Sequence, residues 1–485
     1  MGDIYQKGIV CIYLNTSDRN AYLSAYTALG QLSKTPVGDP TPRISTTTWY
    51  NLLHFFSQAW FHRMWMIQEF VFAESKPLLL FLGGHKGITE TELRDGAWAL
   101  FQQSSHILTV EEDYVLRSAV KQYMCLAEVK DRVKDGRECS FLTLLWTFRD
   151  RLASNPKDKI YSLLGLLKPG VDDDVVEDHP SSATLCNRGL AVSELIVDYG
   201  ANVEDIYASL VKAVILGTDS LNVLCACQSP ERFERSWVPD WTEPWSRFSL
   251  LTNSIGLVPP VLSKHKFNSS VGQKPVIEFA GDLRSLTVEG TLNSTVSVLG
   301  FRPPRCTDSY WIKDWFSNVE QKLKIQISLM YEEDLESVFE PFLLSVCATN
   351  TEEDGFIYSE ALAEEYCLPF TGASSAWKEM VRTYHDGTLN EEEASNFMID
   401  IRIAQMLDGR KVFIGENGHC GIVPDHTEEG DLICVLYGCD VPVVLRQELD
   451  HYTFIGECYV RGLMHGEAIR AVRQGTTTSN QFVII

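Results

Sequence analysis

The side chains most capable of chemistry lie in one ten-residue block, W-F-H-R-M-W-M-I-Q-E, at residues 60–69. A carboxylate at the border of a buried helix face can serve as a general base, so Glu69 is the candidate catalytic residue. Arg63 lies at the same border. The alternative interpretation is a structural ion pair between Arg63 and Glu69, which requires no catalytic role.

The spacing of apolar residues predicts the element that would position Glu69. Phe61, Trp65 and Ile67 fall near the helical positions i, i+4 and i+7, which predicts one helix over the whole block. A short apolar strand is predicted to follow at 78–81. One face of the helix would enter a core, with the two charged residues at its edge.

Other catalytic and metal-binding patterns are missing from the sequence. It contains no G-x-x-x-x-G-K-S/T, no G-x-G-x-x-G, no H-E-x-x-H and no G-x-S-x-G. Cys225 and Cys227 have no His or Cys partner at zinc spacing, so we predict no metal site and no cofactor. His54, His62 and His85 are interpreted as surface or packed residues rather than catalytic ones.

Charge and cysteine usage limit the partners and the compartment. The 485 residues carry a formal charge of −23, which repels nucleic-acid phosphates and anionic lipid headgroups. Apolar runs are far shorter than the roughly 18 residues that span a bilayer. The 13 cysteines are scattered without C-x-x-C pairs, which favours reduced thiols in the cytoplasm. We therefore expect a cytoplasmic protein whose partner is another protein, with no nucleic acid and no membrane span.

Chain length and pattern predict several domains with an α+β organisation. Residues 1–90 mix apolar strands with helices, and residues 91–245 show helical spacing. Short, evenly spaced strands between glycine turns predict a small antiparallel β-barrel from residues 246–300 and 409–470. The remaining predicted segments are a helical insertion within the barrel and a tail, at 301–408 and 471–485.

Two further motifs have local structural interpretations. In N-P-K-D-K-I-Y-S-L-L-G-L, at residues 155–166, Asn155 suits a helix cap, Pro156 the first turn and Gly165 the end. Residues 236–241 read S-W-V-P-D-W. The two indoles could stack on a planar ligand or pin a loop by packing.

Together these motifs resemble the fungal heterokaryon incompatibility (HET) domain family. Residues 60–69 are similar to its closing signature, W-F-x-R-x-W-x-x-Q-E, and 155–166 to D-P-x-D-K-I-Y-x-L-L-G-L, with Asn155 in place of Asp. The S-W-V-P-D-W element and glycine-containing strands between 409 and 468 match as well. The positions that carry the resemblance are Trp60, Arg63, Trp65, Gln68, Glu69, Asp158, Trp237, Asp240 and Trp241.

The resemblance begins partway through the HET domain. Family members open with L-S-Y-x-W-G, whereas Met1–Gly8 resembles the later M-x-x-I-Y-x-x-A, with Gly8 in place of Ala. The first 90 residues are therefore expected to be a truncated HET domain, its C-terminal half. Since the HET domain looks related to the Toll/interleukin-receptor (TIR) fold, the resemblance implies a partial TIR-like α/β module before the helical middle layer and the barrel.

The resemblance implies a role in fungal non-self recognition and programmed cell death, or a degenerate, non-toxic paralogue. The alternative is a TIR-like NAD hydrolase, or an accessory enzyme of a fungal metabolic pathway, with Glu69 as the base. A third interpretation is a scaffold whose acidic insertion binds a basic partner. Because the opening strands are expected to be missing, a non-enzymatic protein is favoured over an enzyme.

Overall fold

The chain divides into two compact units in the computed structural model. The first comprises Met1–Thr218, Trp241–Trp245 and Gly256–Lys264, and the second Asp219–Asp240, Ser246–Ile255 and His265–Ile485. We call them the helical unit and the strand unit. The structure describes residues 11–13, 19–34, 44–73, 79–81, 88–101, 107–135, 140–166, 197–245, 249–251, 267–300 and 409–485. The α+β organisation predicted from the sequence is confirmed, and the predicted insertion at 301–408 lies outside the described residues.

Helices dominate the first unit, and a short parallel pair of strands accompanies them. The strands are β1 (Cys11–Tyr13) and β2 (Leu79–Phe81). The helices are α1 (Arg19–Leu32), α2 (Thr46–Phe56), α3 (Met66–Val71), α4 (Glu90–Phe101), α5 (Val110–Lys134), α6 (Phe141–Thr147), α7 (Asp158–Leu164) and α8 (Val203–Thr218). A 3-10 helix, Ala59–His62, precedes α3.

Hydroxyl caps and aromatic packing explain why these helices form where they do. Ser140 accepts the backbone N–H of Thr143 at 3.0 Å, and Thr109 forms a capping box with Glu112 at the start of α5. The apolar faces then meet in an aromatic core. Its buried rings lie 5.0–6.0 Å apart between the centroids of contacting pairs, and they belong to Phe55, Phe56, Phe61, Phe70 and Tyr123.

The prediction of one continuous helix over residues 60–69 is wrong. The 3-10 helix ends at His62, Arg63 is extended with φ −83° and ψ 139°, and α3 begins at Met66. At the break the backbone bonds to a distant segment instead of continuing the helix. Met64 N–H donates to the Leu152 carbonyl at 2.9 Å, and Leu152 N–H donates back to the His62 carbonyl. Periodicity cannot reveal such a partner, because it reports only local spacing.

The motif at 155–166 forms a shorter helix than predicted. α7 begins at Asp158, and Asn155 instead accepts the N–H of Lys157 at 3.1 Å in the turn before the helix. Gly165 ends the helix as predicted.

The second unit is built around one mixed sheet. Its strands are β3 (Ile277–Phe279), β4 (Leu286–Leu299), β5 (Arg410–Gly415), β6 (Cys420–Pro424), β7 (Leu432–Leu436), β8 (Val443–Gln447), β9 (Tyr452–Glu457), β10 (Tyr459–Val460) and β11 (Ser479–Ile484). One helix, α9 (Glu467–Arg473), precedes β11, and a 3-10 helix covers Asn222–Ala226.

Strand β4 organises this sheet. Its first half pairs with β11 on one edge and with β3 and β7 on the other, while its last residues pair with β5. Pairings β4–β11–β9–β8–β7–β4 return to the starting strand, so five strands form a closed circuit. Register shifts between Leu292 and Ser294 and between Val296 and Val298 bend β4 along its length. Interior side chains from Val296, Phe413, Ile433, Val444 and Ile455 fill the core.

The segment predicted as a tail, 471–485, contributes to the sheet. β11 pairs with β4 from Ser479 opposite Thr291 to Ile484 opposite Leu286, and both Phe482 and Ile484 are buried. A partner strand almost 200 positions away decides this placement. Likewise, residues 219–240 belong to the strand unit, although the sequence placed them in a helical domain ending at 245.

Within the described ranges, each helix is too short or too polar to cross a bilayer.

Candidate functional site

Two sequence motifs that are 90 residues apart meet through one glutamine. Gln68 in α3 is buried, and its Nε2 donates to the Ser162 carbonyl of α7 at 2.7 Å. A Cβ placed on Gly165 would lie 2.7 Å from the same Nε2 atom. The glycine therefore leaves the space that the glutamine fills, and the signature at 60–69 is locked to the helix at 158–164.

Glu69 lies in a different setting. Its carboxyl group is partly buried, and this burial raises its pKa, while the nearby Arg63 guanidinium opposes the shift. Among the described residues no salt bridge or hydrogen bond holds the Glu69 carboxylate, so the predicted ion pair with Arg63 is not formed. Arg63 itself is exposed. A carboxyl group with a raised pKa and no fixed partner is chemically able to exchange a proton.

The two tryptophans of this signature are half-buried. The Trp60 ring packs against Phe61 and Phe70, with centroids 5.1 and 6.0 Å away. Trp65 occupies the position before α3. A cavity of about 380 Å³ lies between α1 and α2, lined by Ser24, Thr48 and neighbours, and none of the signature residues borders it.

Four buried cations lie in or just before the 155–166 motif, and the sequence analysis assigned no role to them. They are 1–7% exposed and comprise Arg149, Arg151, Lys157 and Lys159. Arg151 donates to the carbonyls of Arg63 and Gln122 at 3.3 and 3.1 Å, and burial lowers the pKa of its guanidinium to about 10. It remains protonated at neutral pH. Together the four side chains donate to main-chain carbonyls in five segments of the unit.

The lysines act in the same manner. Lys159 Nζ donates to the Arg149 carbonyl at 2.6 Å and also to the Arg151 carbonyl. Lys157 Nζ donates to the Tyr199 carbonyl at 2.5 Å. The available sequence signal was the two basic pairs R-D-R and K-D-K at 149–151 and 157–159.

Asp158, a predicted signature residue, receives a hydrogen bond at the start of α7. The Tyr199 hydroxyl donates to its Oδ1 at 2.7 Å. Desolvation and this hydrogen bond raise the pKa of Tyr199 to about 12. The carboxylate also lies at the positive end of the α7 dipole. Both contacts stabilise a helix start and leave Asp158 without a catalytic geometry.

The predicted pair of indoles is divided between the two units. Trp241 belongs to the helical unit, where it is buried and lies with Trp245 around the Arg149 guanidinium, whose carbon is 5.3 and 4.5 Å from the two ring centroids. Arg149 Nε also donates to the Glu243 carbonyl at 2.8 Å. This is a cation–π arrangement within the protein. It agrees with the packing interpretation of the motif.

Trp237 and Asp240 belong to the strand unit. The Trp237 ring is fully buried with its centroid 5.9 Å from that of Phe279, and Asp240 accepts a hydrogen bond from Arg232 Nε at 2.8 Å. The neighbouring Ser236 bridges two strands. Its N–H and hydroxyl donate to the Ile485 carbonyl, and its Oγ accepts the Phe454 N–H at 2.8 Å.

That bridge lies where β11 and β9 pair in parallel through Ile484 and Tyr452. Ser236 thus reinforces the seam that completes the five-strand circuit.

A buried ion pair forms the polar centre of the strand unit. Arg410 and Glu457 are 0–1% exposed, and Arg410 Nη2 donates to Glu457 Oε1 at 3.0 Å. The Ser249 hydroxyl and the Leu250 N–H donate to the same carboxylate at 2.8 and 2.7 Å. Sequence reasoning missed this pair, because its members lie 47 positions apart in two glycine-containing motifs.

In the part of the chain that the structure describes, no cluster of His, Cys, Asp and Glu side chains is arranged to hold a metal ion.

Comparison with known proteins agrees with this architecture. The family model described as Het-6 beta-barrel domain matches residues 369–476, which include β5 to β10 and α9. A curated relative, heterokaryon incompatibility protein 6, OR allele, from Neurospora crassa, is 34% identical over 65 residues, covering 13% of this chain. The alignment spans 10% of that relative's length. No solved structure matches the chain.

The barrel match and the Neurospora relative both support a protein similar to the heterokaryon incompatibility family, over the parts of the chain that they cover. The resemblance stated from the sequence motifs is thereby confirmed.

Proposed function

We propose that the chain acts in heterokaryon incompatibility, in non-self recognition after cell fusion and the programmed cell death that follows. The Het-6 barrel match carries this proposal, together with the name of the Neurospora relative. Its partner is another protein and its compartment the cytoplasm. The strand unit supplies a closed β-barrel, and residues 1–90 correspond to part of a TIR-like module.

The chemistry of the described residues favours a binding protein over an enzyme. Gln68, Asp158 and Trp241 have their polar or aromatic groups engaged in holding helices and loops. Catalysis requires groups that face a substrate within hydrogen-bond reach. The signature residues instead stabilise a scaffold, which presents a surface to a protein partner.

NAD hydrolysis is the second candidate, and one observation favours it. The raised pKa of Glu69 and its lack of a fixed partner among the described residues suit a general base. In a protein that acts only by recognition, Glu69 would have no catalytic role.

One experiment separates the two functions. The chain is expressed in Neurospora crassa, the organism of the relative, and hyphal viability and NAD content are measured. Recognition predicts cell death or failed heterokaryons at unchanged NAD, with Glu69→Gln as active as the parent. Death with NAD loss that Glu69→Gln abolishes would establish the hydrolase instead. Full viability at normal NAD would overturn both and favour a degenerate paralogue.

A matched pair of variants tests whether the strand unit is needed. Glu457→Ala removes the buried partner of Arg410, whereas Glu428→Ala removes an exposed partner of Arg446. Loss of the phenotype with the first variant and retention with the second would support a role for the barrel. Equal phenotypes would contradict it.

A further inference from the structure

Two buried thiols from distant parts of the strand unit touch. Cys225 Sγ and Cys439 Sγ lie 3.8 Å apart, and both residues are almost fully buried. Cys225 is in the 3-10 helix Asn222–Ala226, and Cys439 is in the turn between β7 and β8. Both are free thiols. The sequence analysis considered only Cys225 with Cys227 and predicted no metal site there, so the contact with Cys439 is a separate observation.

The backbone around the two thiols is held together independently of them. Leu221 N–H donates to the Gly438 carbonyl at 2.7 Å. Asn222 Nδ2 donates to Asp440 Oδ2 at 2.7 Å, and Asp440 N–H donates back to Asn222 Oδ1 at 2.9 Å. In a 3-10 helix residues i and i+3 eclipse one another, so Cys225 lies on the same face as Asn222. The Asn222–Asp440 exchange therefore sets the spacing of the adjacent thiols.

We propose that Cys225 and Cys439 are a redox pair that closes to a disulfide and locks the Asn222–Ala226 helix to the β7–β8 turn. Bond formation requires the sulfurs to approach from 3.8 Å to about 2.05 Å. Rotation about the two Cα–Cβ bonds supplies this approach, because the hydrogen bonds already hold the backbones together.

The reaction needs a two-electron oxidant, and a diazene dicarboxamide such as diamide meets that need. One thiolate adds to the N=N bond, and the second attacks the resulting sulfur, displacing the nitrogen. Two thiols lose two electrons and two protons, the S–S bond forms, and the diazene leaves as its hydrazine. Burial and the contact with Cys439 raise the pKa of the Cys225 thiol, so attack requires local opening that admits solvent.

Two other buried cysteines provide an internal comparison. Cys434 and Cys458 lie in the same unit, and burial raises the pKa of both thiols. Among the described residues neither has a sulfur contact of the kind that joins Cys225 to Cys439. Selective oxidation of Cys225 and Cys439 would thus reflect geometry, since all four thiols are buried.

The test uses the full chain, oxidised with diamide under native conditions and digested without reduction. Mass spectrometry is expected to find the Cys225 and Cys439 peptides joined, and thiol reduction to separate them. Oxidation should raise the melting temperature of the strand unit by about 5 °C or more, because the bond closes a very long loop. A low urea concentration, which favours local opening, should accelerate the linkage.

One variant tests the proposal further, and two kinds of result would contradict it. Cys225→Ser should show neither the linked peptide nor the thermal shift after diamide. Linkage of Cys439 to Cys434 or Cys458, or no linkage while the fold persists, would overturn the pairing. A linked chain with an unchanged melting temperature would overturn the locking role. If Cys225→Ser does not fold, the peptide map of the unsubstituted chain decides the pairing alone.

Discussion

The buried cations next to α7 in the helical unit have a different kind of hydrogen-bond acceptor from the buried Arg410 of the strand unit. In the helical unit, Arg151 and Lys157 donate to main-chain carbonyl oxygens, whereas in the strand unit Arg410 is paired with the Glu457 carboxylate. A carbonyl offers a dipole without a full charge, so several backbone segments must be held in fixed places to stabilise the cation. Near α7 the helical unit uses buried cations to organise its backbone, and the strand unit uses an ion pair in its core. Elsewhere in the helical unit the buried Lys130 is also ion-paired, with Glu90.

This difference predicts the largest stability loss at Glu457. Glu457→Ala leaves the Arg410 charge buried without its carboxylate and removes the acceptor for Ser249 and Leu250. Breaking a buried pair in this way costs about 3–5 kcal/mol. Urea unfolding measures the change. Glu428→Ala, in an exposed pair with Arg446, should cost less than about 1 kcal/mol, and equal losses would contradict the distinction.

Arg151→Met is expected to cost less than Glu457→Ala. The substitution leaves the Arg63 and Gln122 carbonyls without the hydrogen bonds that Arg151 donates, yet it also removes a buried charge. The expected loss in the free energy of unfolding is therefore about 1–3 kcal/mol. The unfolding free energy is again the readout. Arg117→Met, at a half-exposed position paired with Asp113, serves as the control and should change it by less than about 1 kcal/mol. A larger loss of stability for Arg151→Met than for Glu457→Ala would contradict the proposed difference between the two units.

Gly165 provides a third test, within the helical unit. Gly165→Ala pushes a Cβ against the buried Gln68 amide and should destabilise by about 1–2 kcal/mol. Gly30→Ala in α1, where a Cβ meets nothing within 4 Å, should instead stabilise by about 0.5–1 kcal/mol. In a double-mutant cycle with Gln68→Ala, the losses of unfolding free energy for the two substitutions should not add. Strict additivity would contradict a direct coupling between Gln68 and Gly165.

The smallest expected effect is at Glu69, and it depends on pH. Since its folded-state pKa is raised, the ionised form costs stability above its ordinary pKa of 4.5, and the cost disappears as the pH falls below that value. Glu69→Gln should therefore raise the melting temperature slightly near neutral pH and leave it unchanged in acid. The exposed Glu429→Gln should show no such gain. A destabilised Glu69→Gln variant would show that the carboxylate has a stabilising partner.

Much of the fold followed from local patterns. Between residues 409 and 460, short strands separated by turns formed where the sequence pattern predicted them. The helix ending at Gly165 was predicted from its capping pattern. The candidate site was less accessible to such reasoning, because Gln68, Arg151 and Glu457 act through partners 29 to 208 positions away.

The sequence by itself determined the resemblance to the heterokaryon incompatibility family, the α+β organisation and the places where turns interrupt regular structure, since each depends on residue type and short-range spacing. The tertiary structure alone decided that the helix breaks at Arg63, that residues 479–484 complete the sheet, and that Cys225 meets Cys439. Those outcomes depend on which distant segments the folded chain brings together, and a pattern that repeats every two or four residues carries no record of that path.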